Sequence, residues 1–511
     1  MDFKSFSELR EFIRRYNSTS VLQVGTERCW QKWGINYSNP LDWLNDNIER
    51  NYAVRLMLLA SAGNPHRREN ISVQEFDNLI NAYHNWKGHT ISDKHILEEE
   101  AKILSSSILQ WELDNKKAVR NWSLKLSSIL DLEVIRAHIA SLFVQRMGAF
   151  QNAGFGHPAS RIERTIRLTE LLDNLSNKEF SDKFSTHIGL TPANYFSQFL
   201  TCLGIFGWFF ERRGFCDFSQ LPSIDDQLQK SGITPENLKV FIRRNSALFS
   251  AQTDTSFRKK ISQTLNNVPD FYQPLFYNSF LEVPFIALSN EKFCLPDPFS
   301  FTESCWNHVR ELVFKDEKLK LLLSRTFEDY LENVLFPSIC PNSFERIPEV
   351  KNPSSSKDKR ADFLIKTSSA YIVVECKNSV MSSDTSAYFQ ADKLADLWCR
   401  IHSAFEQISI TVEALDLYDK PVIPLILTFY DSIAASTVFE GMVKQTNYRS
   451  HMKLDMPPIV RSLHEFEHWI SDRSLNNWSE LILSQQNAGS LVVPDNKGHN
   501  YEHLNDVSMN F

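Results

Sequence analysis

Residues 360–378 read RADFLIKTSSAYIVVECKN, and this stretch decides the predicted fold of the C-terminal half. Two runs of β-forming residues flank a short polar turn at 366–369, which is the pattern of a β-hairpin. Because side chains alternate along a strand, Glu375 and Lys377 are predicted to share one face. Antiparallel pairing places the start of the first strand beside the end of the second. Asp362 is therefore predicted to lie next to Glu375.

Three charged groups thus converge at one end of an otherwise apolar hairpin. Burying carboxylates in a sheet is costly unless they bind a cation or a charged partner, and such clusters concentrate at functional sites. We interpret the arrangement as a cation site that supports chemistry. The alternative is a surface ion pair between Asp362 and Lys377, which would stabilise the fold little and leave Glu375 unexplained.

The composition limits the class of protein. A chain of 511 residues is long enough for two or more domains. Its net charge of −7 argues against coating nucleic acid through bulk charge, although a local basic groove remains open. The eight cysteines include no CxxC pair, which predicts a reduced, cytoplasmic protein rather than a disulfide scaffold. With no signal peptide, and with polar residues interrupting the apolar run 195–210, no membrane association is expected.

The patterning predicts a multidomain chain. Helical spacing dominates residues 1–270, which are predicted to form an α-helical domain for recognition or regulation. Residues 271–317 contain a predicted hairpin and are interpreted as a connector. Helices and strands alternate in 318–475, which predicts a small α/β domain with a mixed central sheet. Residues 476–511 are rich in Asn, Ser and Gly and are predicted to form a loosely ordered tail. The predicted helices include 235–250, 318–336, 385–409 and 460–471, and the predicted strands include 344–350 and 421–429.

Asp362 followed by Glu375-Cys376-Lys377 on a hairpin, between an acidic helix and a second helix, resembles the PD-(D/E)xK nuclease superfamily. The resemblance covers about residues 320–450. It implies a restriction-endonuclease-like fold of order α-β-β-β-α-β and metal-dependent hydrolysis of phosphodiester bonds, with DNA favoured over RNA. A helical region ahead of such a domain resembles bacterial antiviral defence nucleases, which implies a homodimer or a partner defence protein. Ala361 stands where the family name has proline, a departure that many relatives share.

The resemblance also implies roles for the motif residues. Asp362, Glu375 and the backbone carbonyl of Cys376 would hold Mg²⁺, for which Mn²⁺ would substitute. These are the hard oxygen donors that Mg²⁺ prefers. Lys377 would orient or help to deprotonate the attacking water and offset developing charge.

Relatives add residues from the flanking helices. Glu328 is the expected third acidic ligand, with Glu332 one turn further along the same face. Gln390 is the expected catalytic residue of the following helix, with Lys393 as a neighbour. For all four positions the alternative is a solvated helix surface.

Basic residues supply candidate phosphate contacts. The loop before Asp362 is predicted to bind nucleic acid through Lys351, Lys357, Lys359 and Arg360, although an ordinary solvated loop has the same composition. Further basic clusters are Arg67-Arg68, Arg212-Arg213, Arg243-Arg244 and Arg258-Lys259-Lys260. Each is either a solvated helix face or a set of phosphate contacts.

The predicted function is a Mg²⁺-dependent nuclease, most simply a DNA endonuclease. One alternative is a nuclease fold that has lost catalysis and serves as a nucleic-acid-binding or scaffold protein. A weaker alternative is a zinc metalloprotease, because His464 to His468 match HExxH. That segment is also an ordinary amphipathic helix.

Overall fold

The computed structural model describes most of the chain in separate ranges. They are 3–33, 35, 40–62, 69–91, 94–120, 122, 124–130, 135, 158–209, 212–248, 255–266, 276, 278–348, 360–377, 391–429, 454, 456, 458–463, 466–467, 470, 477, 479–480 and 482–484. Helices in these ranges surround two β-sheets. None of the described helices combines the length and apolarity needed to cross a membrane.

The first half of the chain is mainly helical, as predicted. Its helices are α1 (Phe6–Ile13), α2 (Ser18–Gln31), α3 (Pro40–Ser61), α4 (Val73–Ile91), α5 (Lys94–Asp114), α6 (Lys116–Val119), α7 (Pro158–Leu175), α8 (Glu179–Ile188), α9 (Pro192–Gly204), α10 (Asp225–Lys230), α11 (Pro235–Arg244) and α12 (Thr255–Asn266). At the start of helix α9 the Thr191 side chain accepts a hydrogen bond from the main-chain N–H of Asn194, and a proline occupies the first helical position. A π-helical turn, Ile205–Phe209, follows it directly.

A four-stranded sheet interrupts this helical half. Its strands are β1 (Phe215–Asp217), β2 (Ser246–Leu248), β3 (Phe285–Ala287) and β4 (Lys292–Cys294), in the order β1-β4-β3-β2. The predicted hairpin in 271–317 is thus present as β3 and β4. The prediction of one helix over 235–250 is wrong at its end, because Ser246–Leu248 pairs in parallel with β3. This long-range pairing has no local sequence signal.

The C-terminal sheet is mixed, as predicted. It contains β5 (Phe344–Arg346), β6 (Phe363–Lys366), β7 (Tyr371–Lys377), β8 (Val422–Thr428) and β9 (Ile459–Ser462) in that spatial order. The pairs β5–β6 and β6–β7 are antiparallel, whereas β7–β8 and β8–β9 are parallel. The predicted helix 460–471 is wrong at its start, because β9 occupies 459–462 and pairs with β8. Residues 463, 466, 467 and 470 are helical.

Helices cover both faces of this sheet. They are α14 (Glu317–Tyr330) and α15 (Phe336–Ile339) on one face and α16 (Ala391–Ala414) on the other, whereas α13 (Pro298–Phe314) packs in the core of the four-stranded sheet. On β7, Val373 packs in the cluster that contains Trp398 of α16, whereas Val374 packs with Phe327 of α14. Odd-numbered residues of β7 therefore face α16 and even-numbered residues face α14.

The hydrophobic cores do not follow the predicted domain boundaries at 270 and 317. Helix α5 packs against α16 in one core, and Trp111 Nε1 donates a hydrogen bond to Asp396 Oδ1 at 3.0 Å. On the other face of the sheet, Arg164 of α7 forms a buried ion pair with Glu467. Parts of the helical half thus complete the core of the C-terminal sheet. Sequence periodicity shows which side of a helix is apolar, but not which element covers it.

Candidate active site

The hairpin places Asp362 and Glu375 at the same end of two neighbouring strands. Phe363 pairs with Val374 in the antiparallel register, which puts Asp362 opposite Glu375 as the sequence predicts. The carboxylate Oδ2 of Asp362 accepts a hydrogen bond from the main-chain N–H of Cys376 at 2.6 Å. This bond fixes the Asp362 side chain against the end of β7.

Lys377 lies on the same face of β7 as Glu375, toward α16. Its Nζ donates to Glu375 Oε1 and, at 2.7 Å, to Gln407 Oε1 of α16. The Gln407 side chain also donates from Nε2 to the carbonyl of Arg360 at 3.4 Å. Gln407 therefore ties the lysine to the segment that enters β6.

Glu375 is a buried carboxylate whose charge is only partly compensated. The residue is 2% exposed, and its Oε2 has no hydrogen-bond partner among the described residues. Burial raises the pKa of Glu375 to about 8; Lys377 opposes this shift, and the nearby Asp362 charge adds to it. Burial also raises the pKa of Asp362, against the stabilising effect of the Cys376 N–H and of Lys377.

The donors at this end of the hairpin fit a divalent cation with oxygen ligands. The Lys377 carbonyl accepts from Phe429 N on the β8 side at 3.3 Å. Since main-chain groups of successive strand residues point to opposite sides, the Cys376 carbonyl points toward Asp362. Two carboxylates and one carbonyl thus converge, and the unpartnered Oε2 of Glu375 is a group that a cation would satisfy. No set of three or more His, Cys, Asp and Glu side chains in the described ranges is arranged to hold a metal. Main-chain and solvent or substrate oxygens would have to complete the shell.

Glu328, the predicted third acid, lies close enough to contribute to the raised pKa of Glu375. Its carboxylate forms an ion pair with Arg346 of β5 at 2.5 Å, and Glu332 binds the same guanidinium at 2.7 Å. A metal ligand at this position would have to leave Arg346. The assignment of Glu328 as a ligand therefore stays a prediction.

Several predicted site residues lie outside the described ranges, and their assignments stay predictions. They are Gln390, Lys351, Lys357 and Lys359, together with His464 and His468 of the HExxH match. Arg360 is described, and its carbonyl contacts Gln407. Within the HExxH segment, Glu467 is buried and bound to Arg164 and Tyr330.

Sequence reasoning missed Gln407 and Thr411. The Thr411 hydroxyl accepts a hydrogen bond from the main-chain N–H of Ala361 at 2.7 Å. Together the two side chains attach α16 to residues 360–361, just before Asp362. They lie one turn apart beside the apolar stripe of α16. Their position next to this buried stripe is the sequence signal that could have predicted a structural role.

Comparisons with known proteins identify no relative. No protein-family model, curated protein or solved structure matches the chain. The geometry of this site and the resemblance of its motif are therefore the basis for proposing a function.

Proposed function

We propose that this chain is a Mg²⁺-dependent nuclease that hydrolyses phosphodiester bonds, with DNA as the favoured substrate. The observation that carries the proposal is the buried end of the hairpin, where Asp362 and Glu375 lie opposite each other beside Lys377. Such a group of carboxylates costs folding free energy, which is expected where the arrangement serves chemistry.

Asp362, Glu375 and the Cys376 carbonyl would hold the metal. When bound, Mg²⁺ would supply positive charge that polarises the scissile phosphate and lowers the pKa of the attacking water. Asp362 is already oriented by the Cys376 N–H. Glu375 offers an oxygen that Lys377 does not occupy.

Lys377 would position the water and balance negative charge that develops on the phosphate. Its ammonium is held between Glu375 and Gln407, so its position is defined before substrate binds. Arg346 also lies near Asp362, with its guanidinium paired to Glu328 and Glu332.

The cleavage assay tests the proposal directly. Purified protein is incubated with plasmid DNA and with RNA, in Mg²⁺ and in EDTA. We expect cleavage in Mg²⁺ and none in EDTA. The Lys377→Ala variant should not cleave even with Mg²⁺ present. Undiminished cleavage by Lys377→Ala would contradict the assignment of this site.

A second candidate function is nucleic-acid binding without catalysis. It is favoured by the ion pairing of Glu328 with Arg346, and by the lack of a three-side-chain metal group in the described ranges. This candidate predicts that the protein retains nucleic acid in Mg²⁺ without cutting it. The defence role, the homodimer or partner protein and the cytoplasmic location remain predictions.

Replacing Gln407 with leucine is expected to slow cleavage about 10- to 100-fold. The leucine keeps the volume of the side chain but removes the acceptor that holds Lys377, so the ammonium becomes less well placed. The loss is expected in kcat rather than KM, with an altered pH profile. Gln74→Leu, at an exposed glutamine of α4, is the matched control. Equal activity of the two variants would show that Gln407 does not position the lysine.

A further inference from the structure

The basic clusters of the helical half differ in how their charges are used. Arg243 pairs with Glu291, and Arg244 donates to the carbonyl of Ile188. Arg212 pairs with Glu27. Arg213 is exposed and has no carboxylate partner in the described part of the chain. Its guanidinium instead lies over the ring of Trp208, with Cζ 5.6 Å from the ring centroid.

Trp208, the aromatic residue beneath Arg213, is itself exposed. Its residue surface is 75% exposed, although it belongs to the π-helical turn 205–209 beside a hydrophobic core. Gly207 anchors that turn, because a Cβ there would stand only 3.1 Å from the buried ring of Trp30. Beside Gly204, one turn earlier, a Cβ would meet no atom within 4 Å. The turn that carries Trp208 therefore packs closely on Trp30 through Gly207, while the residue Trp208 itself stays exposed.

We propose that Trp208 and Arg213 form a binding surface for single-stranded nucleic acid. One unpaired base would stack on the indole, and an adjacent phosphate would pair with Arg213. Stacking of bases on exposed aromatic rings beside a cation is how proteins bind single strands without reading sequence. On a chain of net charge −7, a guanidinium that pairs with no carboxylate among the described residues is locally complementary to phosphate.

This binding surface would serve the proposed nuclease, and its biological role rests on that proposed function. In a nuclease, this surface would select substrates with unpaired segments. A base inside a duplex has both faces covered by its neighbours in the stack, so the surface should distinguish single strands from duplexes. Binding itself does not require a working metal site, and it can be measured apart from cleavage.

Fluorescence anisotropy of a labelled oligothymidylate in EDTA tests the surface. Trp208→Ala is expected to raise Kd about 5- to 100-fold, and Trp208→Phe to raise it less, because the smaller ring still stacks. Arg213→Gln should lower the slope of log Kd against log salt by about 0.7, the value for one phosphate contact on a single strand. Trp208 is exposed, so its replacement should leave the melting temperature unchanged.

Tyr418→Ala, at a second exposed aromatic residue (56% exposed), is the matched control and should bind like the wild type. A blunt duplex should bind Trp208→Ala and the wild type equally. An unchanged Kd of Trp208→Ala for oligothymidylate, or an equal loss for duplex and single strand, would overturn the proposal. If Trp208→Ala loses oligothymidylate binding but the wild type cleaves no substrate, the binding surface is retained and the nuclease is rejected. If Trp208→Ala cleaves every substrate and binds oligothymidylate as the wild type does, the binding surface is rejected and the nuclease is retained.

Discussion

Glu375→Gln is expected to reduce Mg²⁺-dependent cleavage by about 1,000-fold or more while leaving the fold at least as stable as the wild type. The amide cannot contribute a carboxylate to the metal, and the transition state loses the charge held there. The same change removes a buried carboxylate whose Oε2 has no partner among the described residues. The amide occupies the same volume but carries no charge, so the folding free energy no longer includes the cost of burying an ionised carboxylate.

The stability effect of Glu375→Gln has a defined dependence on pH. The pKa of Glu375 is raised to about 8 in the folded protein, above the ordinary value of 4.5. The wild type therefore loses stability as the pH rises from about 4.5 to about 8, because the folded state resists losing that proton. The glutamine cannot titrate. Its advantage in free energy of unfolding should grow across this interval and stay constant above it.

Chemical denaturation at several pH values, together with plasmid cleavage, measures both effects. Glu345→Gln is the matched control, since Glu345 lies on β5 in an exposed ion pair with Lys366. This control should cut like the wild type and show no pH-dependent gain. Loss of cleavage together with unfolding of Glu375→Gln would contradict the account, because Glu375 would then serve stability rather than catalysis.

Mg²⁺ is expected to raise the melting temperature of the wild type. A cation between Asp362 and Glu375 offsets their mutual repulsion and satisfies the Glu375 oxygen that has no partner among the described residues. A ligand at about 100 times its Kd stabilises the folded state by about 2.7 kcal/mol. The metal competes with the Glu375 proton, so the rise in melting temperature should be larger at about pH 9 than at about pH 6.

Differential scanning fluorimetry with Mg²⁺, and then with excess EDTA, checks this expectation. Asp362→Asn should lose most of the shift, whereas Glu345→Gln should keep it. A shift of equal size in Asp362→Asn would place the responsible metal elsewhere in the chain.

The sequence predicted those parts of the site that local patterns encode. Alternating side chains and a short turn are enough to define the hairpin, and the register follows from the turn. Asp362, Glu375 and Lys377 accordingly lie together as expected. The elements α14 and α16 were also predicted, and α16 continues five residues beyond the predicted end at 409.

The remaining features depend on contacts between distant segments. Gln407 of α16 binds Lys377, which is thirty residues away in sequence. The spacing of apolar residues along α16 does not show which strand this helix covers. Strand β9 was predicted as helix because its identity comes from pairing with β8. The packing of α5 on α16 likewise joins two segments that appear as separate domains in the sequence.

The position of a bound metal tests the central claim most directly. Crystals of the protein grown with Mn²⁺ would give an anomalous difference map at the manganese edge. The account predicts a peak at about 2.0–2.3 Å from oxygens of Asp362, Glu375 and the Cys376 carbonyl. A fully occupied peak at another site, such as beside His464 and His468, with none at the hairpin would contradict it.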